Sequence, residues 1–204
     1  MKPAIKVLGV PDDINSSFMR GSSAAPPLIR EALYSASSNL FSESGLNLDQ
    51  KGIWEDLGDI EFAGEVAVEN FKKIKTFVKD VLVSDQKLVS LGGDHSVSWP
   101  ILDAHLDIWG TLDILHIDAH PDLYDSLLGN KLSHASPFAR IMETGRASRL
   151  VQVGIRTLNK HQREQAEKFG VEIYQMKDLT KLNSLSFSKP VYCSIDIDAL
   201  DPAY

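Results

Sequence analysis

Cysteine and long apolar runs are both scarce in this sequence. Its 204 residues include one cysteine, Cys193, so no internal disulfide can form and a reducing compartment is predicted. We interpret Cys193 as a packed, unreactive side chain because it lies within the apolar run 191–195. No apolar run approaches the roughly 18 residues that a membrane span requires, which predicts a soluble chain without a membrane partner.

Basic charge is also in short supply. The chain has 21 Lys and Arg against 28 Asp and Glu, which gives a net charge of −7 and argues against a nucleic-acid partner. If Met1 is the true start, four residues precede the first apolar run, and these leave no room for a signal or transit peptide. We therefore expect a cytoplasmic protein, or a mitochondrial one if a transit peptide is missing from this sequence.

Short runs rich in Val, Ile and Leu alternate with segments of helical periodicity along the chain. This alternation is typical of buried parallel strands joined by crossover helices, and it predicts one α/β domain over residues 1–204. The predicted strands are 5–10, 87–91, 113–117, 150–154, 171–174 and 191–195, with a weaker one at 52–56. The predicted helices are 25–37, 66–84, 99–107, 136–144 and 159–169.

Three of the predicted strands end directly in clusters of Asp and His. These clusters are GGDHS at 92–96, DAHPD at 118–122 and DIDALDP at 196–202. The carboxyl ends of parallel strands border the ligand crevice of an open sheet, so we expect the clusters to face one another. Each motif alone also occurs in turns and helix caps, and it is their coincidence at three strand ends that favours a functional site.

The clusters supply carboxylate oxygens and imidazole nitrogens but no thiolate. Several carboxylates in one crevice cannot all stay ionised without a countercharge, which a multivalent cation would supply. The donor set favours Mn²⁺, with Zn²⁺, Fe²⁺ and Co²⁺ as alternatives. Six donors are too many for one open catalytic ion and fit two ions that share carboxylates, which predicts metal-assisted hydrolysis. The candidate ligands are His95, Asp118, His120, Asp122, Asp196 and Asp198.

In content and order, GGDHS, DAHPD and SIDIDALDP (194–202) resemble the signatures of the ureohydrolase family, which comprises arginases and agmatinases. The segment LYDSLLGNKLSHASPFARIMETG particularly resembles the plant-type arginases. The resemblance implies a three-layer α/β/α fold with a mostly parallel central sheet, two Mn²⁺ per subunit and a trimeric or hexameric homo-oligomer. It also implies hydrolysis of L-arginine to L-ornithine and urea by attack of a metal-bridging hydroxide on the guanidinium carbon. Agmatine or another guanidino compound is the alternative substrate.

The resemblance also implies roles for single residues. One manganese would be held by His95, Asp118, Asp122 and Asp196, and the other by Asp118, His120, Asp196 and Asp198. Asp118, as a bridging ligand, and His134, which matches a mobile histidine that shuttles protons, are the catalytic candidates. Asn130, Ser133 and His134 lie in the loop that would contact the amino-acid end of the substrate. Asn159 stands where animal arginases have an Asp that helps to hold the substrate amino group, so that contact does not establish arginine specificity.

The resemblance predicts more chain than the sequence contains. In the family, the third signature is followed by a Gly- and Pro-rich loop, a Gly-Gly turn and a strand whose Glu pairs with the substrate guanidinium. None of these follows Tyr204, so we expect a chain cut short within the sheet, with unpaired strand edges. A catalytically inactive metal-binding or assembly subunit is therefore the alternative from another functional class. The remaining histidines, His105, His116 and His161, are interpreted as structural.

Overall fold

Strands and helices alternate along the chain in the computed structural model, which describes residues 5–83, 87–201 and 203. The strands are β1 (Ile5–Val10), β2 (Trp54–Asp59), β3 (Lys87–Gly92), β4 (Asp113–Ile117), β5 (Arg149–Ile155), β6 (Glu172–Gln175) and β7 (Val191–Ile195). The helices are α1 (Ala25–Leu33), α2 (Ala67–Leu82), α3 (Ser98–Trp109), α4 (Pro137–Glu143) and α5 (Lys160–Phe169). Every pair of neighbouring strands in this part of the chain is parallel, which confirms the α/β class.

Most element bounds agree with the sequence-based predictions, and the largest difference is at the end of α1. This helix ends at Leu33 rather than at residue 37. The serine-rich segment that follows forms a turn instead, in which the Ser38 hydroxyl donates to the carbonyl of Ala32. Serine side chains compete with the helix for backbone partners in this way. The predicted end of α2 at Ser84 lies outside the described residues.

The described strands form two parallel sheets, with the orders β2-β1-β3 and β6-β5-β4-β7. β3 and β7 are both edge strands, and residues of both line the same cleft. Along β7 the alternating residues Val191, Cys193 and Ile195 are exposed, so one face of this strand is uncovered in the described part of the chain. The expectation that Cys193 is packed is therefore wrong. An apolar strand residue is buried only where a second layer covers its face of the sheet, and among the described residues no layer covers this face of β7.

Two apolar clusters hold the strands in place. One joins Leu8 and Val10 of β1 to Ile74 and Val78 of α2, and the other joins β4 and β5 to α4. Trp99 at the start of α3 packs against both clusters and thereby links the two sheets. Among the described residues, no helix combines the length and apolarity needed to cross a bilayer.

Candidate metal centre

The three Asp- and His-bearing segments converge at the carboxyl ends of β3, β4 and β7. Parallel pairing of β4 with β7 places Ile117 beside Ile195, so Asp118 and Asp196 leave the sheet at the same level. The backbone N–H of Asp196 donates to the carbonyl of Ile117 over 2.9 Å, which extends the ladder by one residue. A cleft of about 1090 Å³ opens above these strand ends.

The GGDHS segment places His95 by a close backbone contact followed by a capped helical turn. A Cβ atom at Gly93 would lie 2.1 Å from the carbonyl oxygen of Asp12, so only glycine fits there. The next residue, Asp94, donates its backbone N–H to the same carbonyl over 2.9 Å. Its carboxylate accepts from the backbone N–H of Ser96 and caps the short 3-10 helix His95–Val97.

His95 lies at the centre of the first group of candidate ligands. Its Nδ1 atom is 3.0 Å from Asp122, 3.2 Å from Asp118 and 3.3 Å from Asp196, measured to a carboxylate oxygen in each case. None of these contacts has hydrogen-bond geometry, so Nδ1 is a buried nitrogen without a hydrogen-bond partner in the described structure. The opposite ring nitrogen, Nε2, is 2.9 Å from the hydroxyl of Ser194 on β7.

The second group shares Asp118 with the first. His120 Nδ1 is 3.0 Å from Asp198 Oδ2 and 3.6 Å from Asp118 Oδ1. The other carboxylate oxygen of Asp198 accepts from the backbone N–H of Ala119, and Asp196 accepts from the backbone N–H of Asp198. The side chain of Asp118 is 1% exposed, whereas that of His120 is 48% exposed and lines the cleft. The carboxylate that the two groups share is therefore buried beneath His120.

The charges in the cluster shift the titration of its members. Burial disfavours the charged form of His95, but its contacts with Asp118, Asp122 and Asp196 raise its pKa well above the ordinary value. Contacts with Asp118 and Asp198 raise the pKa of His120 to about 10. Burial alone would raise the pKa of Asp118, but its histidine neighbours hold that pKa far below the ordinary value. Protonated imidazoles therefore provide the countercharge in the metal-free chain.

We expect the affinity for Mn²⁺ to rise with pH. His95 and His120 are protonated near neutral pH in the metal-free chain, and each must lose its proton before its nitrogen can bind a cation. The dissociation constant should fall by up to roughly tenfold per pH unit for each proton released, until His120 is deprotonated at about pH 10. Calorimetric titrations at two pH values in buffers of different ionisation enthalpy measure both effects. A pH-independent affinity without proton release would contradict this expectation.

The residues present fit a divalent cation. Once His95 has lost one proton and donates from Nε2 to Ser194, the lone pair of Nδ1 lies among three carboxylates, an arrangement that is repulsive without a positive charge between them. The donors are oxygen and nitrogen atoms only, as Mn²⁺ and similar ions prefer. All six predicted ligands are brought together, in two groups that overlap at Asp118.

The predicted proton shuttle, His134, lines the same cleft as the candidate ligands. Its position depends on Asn15, whose backbone carbonyl accepts from the backbone N–H of His134 over 3.3 Å and from its Nδ1 over 3.1 Å. A carbonyl can only accept, so Nδ1 carries the proton and Nε2 of the neutral ring is the nitrogen with a lone pair. Sequence reasoning missed Asn15, because a backbone acceptor carries no side-chain signal.

The three remaining predicted residues do not line the cleft. The Asn130 side chain donates to the Asn15 side chain over 3.1 Å, and Ser133 is buried beside His134. Asn159 caps α5 in a reciprocal pair with Gln162 and donates to the hydroxyl of Tyr124 over 2.5 Å. Each therefore has a structural role in this conformation, and substrate contact by any of them remains a prediction.

The family model for arginases matches residues 3–204. The chain belongs to the arginase family. It is 46% identical to arginase 1, mitochondrial, of Oryza sativa subsp. indica, over 100% of this chain and 64% of the rice protein. It is 36% identical to the N(1)-aminopropylagmatine ureohydrolase of Thermus thermophilus, over 98% of this chain and 69% of that protein.

The solved structure of the arginase from Medicago truncatula is also similar to this family member. It aligns with a TM-score of 0.90 at 42% identity, over 98% of this chain and 68% of that one. These matches confirm the ureohydrolase resemblance and its plant-type character. The chain spans less than two thirds of the length of the rice relative.

Arg156 is a second residue that sequence reasoning missed in this arginase-family chain. It follows β5, and its guanidinium donates to the backbone carbonyls of Asp198, Ala199 and Leu200 at 2.5, 3.1 and 3.0 Å. Its backbone N–H donates to the carbonyl of Ala119 over 2.9 Å. One residue thus connects the DAHPD segment to the segment that carries Asp198.

Replacing Arg156 by Ala is expected to weaken Mn²⁺ binding roughly tenfold, because the segment that presents Asp198 loses three hydrogen bonds. The dissociation constant for Mn²⁺, measured by calorimetry on metal-free protein, tests this. Arg163→Ala, on the exposed face of α5, removes the same charge away from the cluster and should leave the affinity unchanged. Equal losses in the two variants would mean that the effect comes from net charge alone.

Proposed function

We propose that this chain carries the metal-binding core of a manganese-dependent hydrolase that converts L-arginine to L-ornithine and urea. The observation that carries the proposal is the pair of His and Asp groups that overlap at Asp118. The 46% identity to a rice protein named as an arginase favours arginine as the substrate. The relative from Thermus thermophilus, named for aminopropylagmatine, makes a decarboxylated guanidino compound the alternative.

Two manganese ions are proposed to occupy the two groups. The first would be held by His95, Asp118, Asp122 and Asp196, and the second by Asp118, His120, Asp196 and Asp198. Such ions, when bound, supply Lewis acidity and make water acidic enough to act as a nucleophile near neutral pH. The chain's own contribution is to orient the donors: the backbone N–H of Ala119 holds the Asp198 carboxylate, and the Ser194 hydroxyl holds the imidazole of His95. The backbone contact between Asp196 and Ile117 fixes the level at which Asp196 leaves the sheet.

His134 is proposed to move protons between the cleft and the leaving amine. Its Nδ1–H is held by the carbonyl of Asn15, which leaves Nε2 to accept a proton and to give it up again. Imidazole suits this task because it exchanges protons near neutral pH. We place the amino-acid end of the substrate near the same loop, with Asn130, Ser133 and Asn159 as its proposed contacts.

The proposal predicts Mn²⁺-dependent urea release and a preference for arginine over agmatine. The two substrates differ by one carboxylate, and loss of its charge-assisted hydrogen bonds should lower kcat/KM roughly 10- to 100-fold for agmatine. Urea release from both substrates, with Mn²⁺ and after removal of metal by a chelator, measures this. A higher kcat/KM for agmatine would refute arginine as the substrate, and undiminished turnover in chelator would refute the metal-dependent mechanism.

A metal-binding subunit that acts by association is the second candidate. The observation that favours it is that β3 and β7 are edge strands of the sheets formed by the described residues, in which one face of β7 is also uncovered. Edges of this kind pair readily with further chain. In that case the purified 204-residue chain would bind Mn²⁺ and associate with longer chains without releasing urea, so robust turnover by the chain alone would rule this function out.

We further propose a single domain over residues 1–204, a homo-oligomer of three or six subunits, and a cytoplasmic location. The alternative location is mitochondrial, as in the name of the rice relative. Light scattering measures the subunit number, and imaging of a tagged chain measures the location.

A further inference from the structure

A buried chain of hydrogen bonds runs from β5 to the carboxylate that the two groups share. Gln152 Nε2 is 3.0 Å from His116 Nδ1, and His116 Nε2 is 2.7 Å from Asp118 Oδ2. Gln152 and His116 are 0% exposed and Asp118 is 1% exposed. The ring of Phe138 packs on the imidazole of His116, with 3.9 Å between the ring centroids. The interpretation of His116 as a purely structural residue takes no account of these contacts.

The contacts of Gln152 determine which nitrogen of His116 carries the proton. Gln152 Nε2 also lies 2.5 Å from the carbonyl oxygen of Pro121, which can only accept, so this atom is the amide nitrogen. Its second N–H points to His116 Nδ1, which must therefore accept. The proton of the neutral ring is then on Nε2 and is donated to Asp118.

This tautomer means that His116 does not itself act as a metal ligand. A ligand atom of His116 lies within 4.8 Å of ligand atoms of His95 and Asp118, close enough for all three to hold one ion. A nitrogen that carries a proton cannot bind a cation, however, and Nδ1 is already occupied by Gln152. His116 is therefore oriented toward the carboxylate and not toward an ion.

We infer that Gln152 and His116 position the Asp118 carboxylate for metal binding, an inference that rests on the proposed function of Asp118 as a ligand. His116 holds Oδ2, and the backbone N–H of His120 holds Oδ1 over 2.6 Å. Each oxygen has one of these donors and keeps a lone pair for a cation. The orientation of the carboxylate is thus set before any ion arrives.

The unpaired oxygen of Gln152 supports a positioning role. Gln152 Oε1 is buried and has no hydrogen-bond partner among the described residues. An unpaired buried amide oxygen costs free energy, which an apolar side chain at this place would avoid. The compensating gain is the pair of contacts that the amide nitrogen makes with Pro121 and His116.

His116→Phe tests the inference because it removes the donor and keeps a ring in a pocket that Phe138 already lines. We expect the Mn²⁺ dissociation constant of the metal-free chain, measured by calorimetry, to rise roughly 10- to 100-fold. His116→Gln keeps a terminal N–H that can reach Asp118 and should restore the affinity to within a few-fold. Replacing His105, a partly buried histidine of α3 that bonds to the carbonyl of Ile101, by Phe is the matched control and should leave the affinity unchanged.

The possible outcomes separate this inference from the proposed function. Equal affinities in wild type and His116→Phe would overturn the positioning role alone, whereas a wild type that binds no Mn²⁺ would overturn both. If His116→Phe does not fold, nitrogen-15 NMR of the histidines in the metal-free wild type still decides. The Nε2–H tautomer of His116 is expected, and an Nδ1–H tautomer or a doubly protonated ring would overturn the inference.

Discussion

Replacing Asp118 by Ala is expected to abolish the binding of both manganese ions and to lower urea release at least about a thousandfold. Asp118 is the carboxylate that the His95 group and the His120 group share, so its removal deprives both ions of a ligand at once. Asp196 is also proposed for both ions, but in the structure it contacts only the histidine of the first group, His95, and the remaining four candidates are each proposed for one ion. Metal content by mass spectrometry and urea release under saturating arginine measure the two effects.

The control for Asp118→Ala lies on the same strand. Asp113 begins β4, is also buried and accepts from the Ser148 hydroxyl over 2.6 Å, but it stands at the end of the strand away from the cluster. Asp113→Asn should therefore keep two manganese ions per chain. Thermal unfolding of both metal-free variants separates loss of a ligand from loss of the fold. Two manganese ions retained by Asp118→Ala would contradict the assignment of this carboxylate.

Replacing His134 by Asn is expected to lower kcat about 10²- to 10⁴-fold while Mn²⁺ binding stays unchanged, because the variant loses a group that can donate and accept protons. Asn is the appropriate replacement because its amide nitrogen can still donate to the carbonyl of Asn15, as Nδ1 of His134 does over 3.1 Å. The position of the loop is kept and only the proton-accepting nitrogen is lost. Steady-state kinetics together with calorimetry on the same samples test both halves of the expectation.

His161→Asn is the matched control for His134→Asn. His161 lies 3.1 Å from Asp125 and packs against the ring of Tyr124, outside the residues that line the cleft. Its replacement should leave kcat within about twofold, since substitutions away from the reacting groups change little. A kcat for His134→Asn that matches this control would exclude His134 as the proton shuttle.

The candidate ligands could be predicted from sequence because their signal is local. Each of the three clusters follows an apolar run, and the carboxyl ends of parallel strands meet at one edge of a sheet whatever the details of packing. The structure brings His95, Asp118 and Asp198 together as this rule requires. Asp and His can therefore be recognised as candidate metal ligands from their side-chain chemistry and their place after a strand, before their neighbours in the fold are known.

The supporting residues could not be predicted, because their effect depends on contacts between distant parts of the chain. Asn15 acts through its backbone carbonyl, 119 positions from His134, and Arg156 acts on carbonyls 42 to 44 positions away. His116 has the sequence context of an ordinary buried strand residue. Only the neighbouring strand, which brings Gln152 to its ring, shows that it faces the shared carboxylate.

The sequence by itself determined the α/β class, the family and the six candidate ligands, since these depend on apolar periodicity and on motifs of consecutive residues. The tertiary structure decided how the candidate ligands divide into two groups, through the pairing of β4 with β7. It also decided that Cys193 is exposed and that His116 carries its proton on Nε2. Both depend on what packs against a residue, and packing is a property of the folded chain that no local pattern contains.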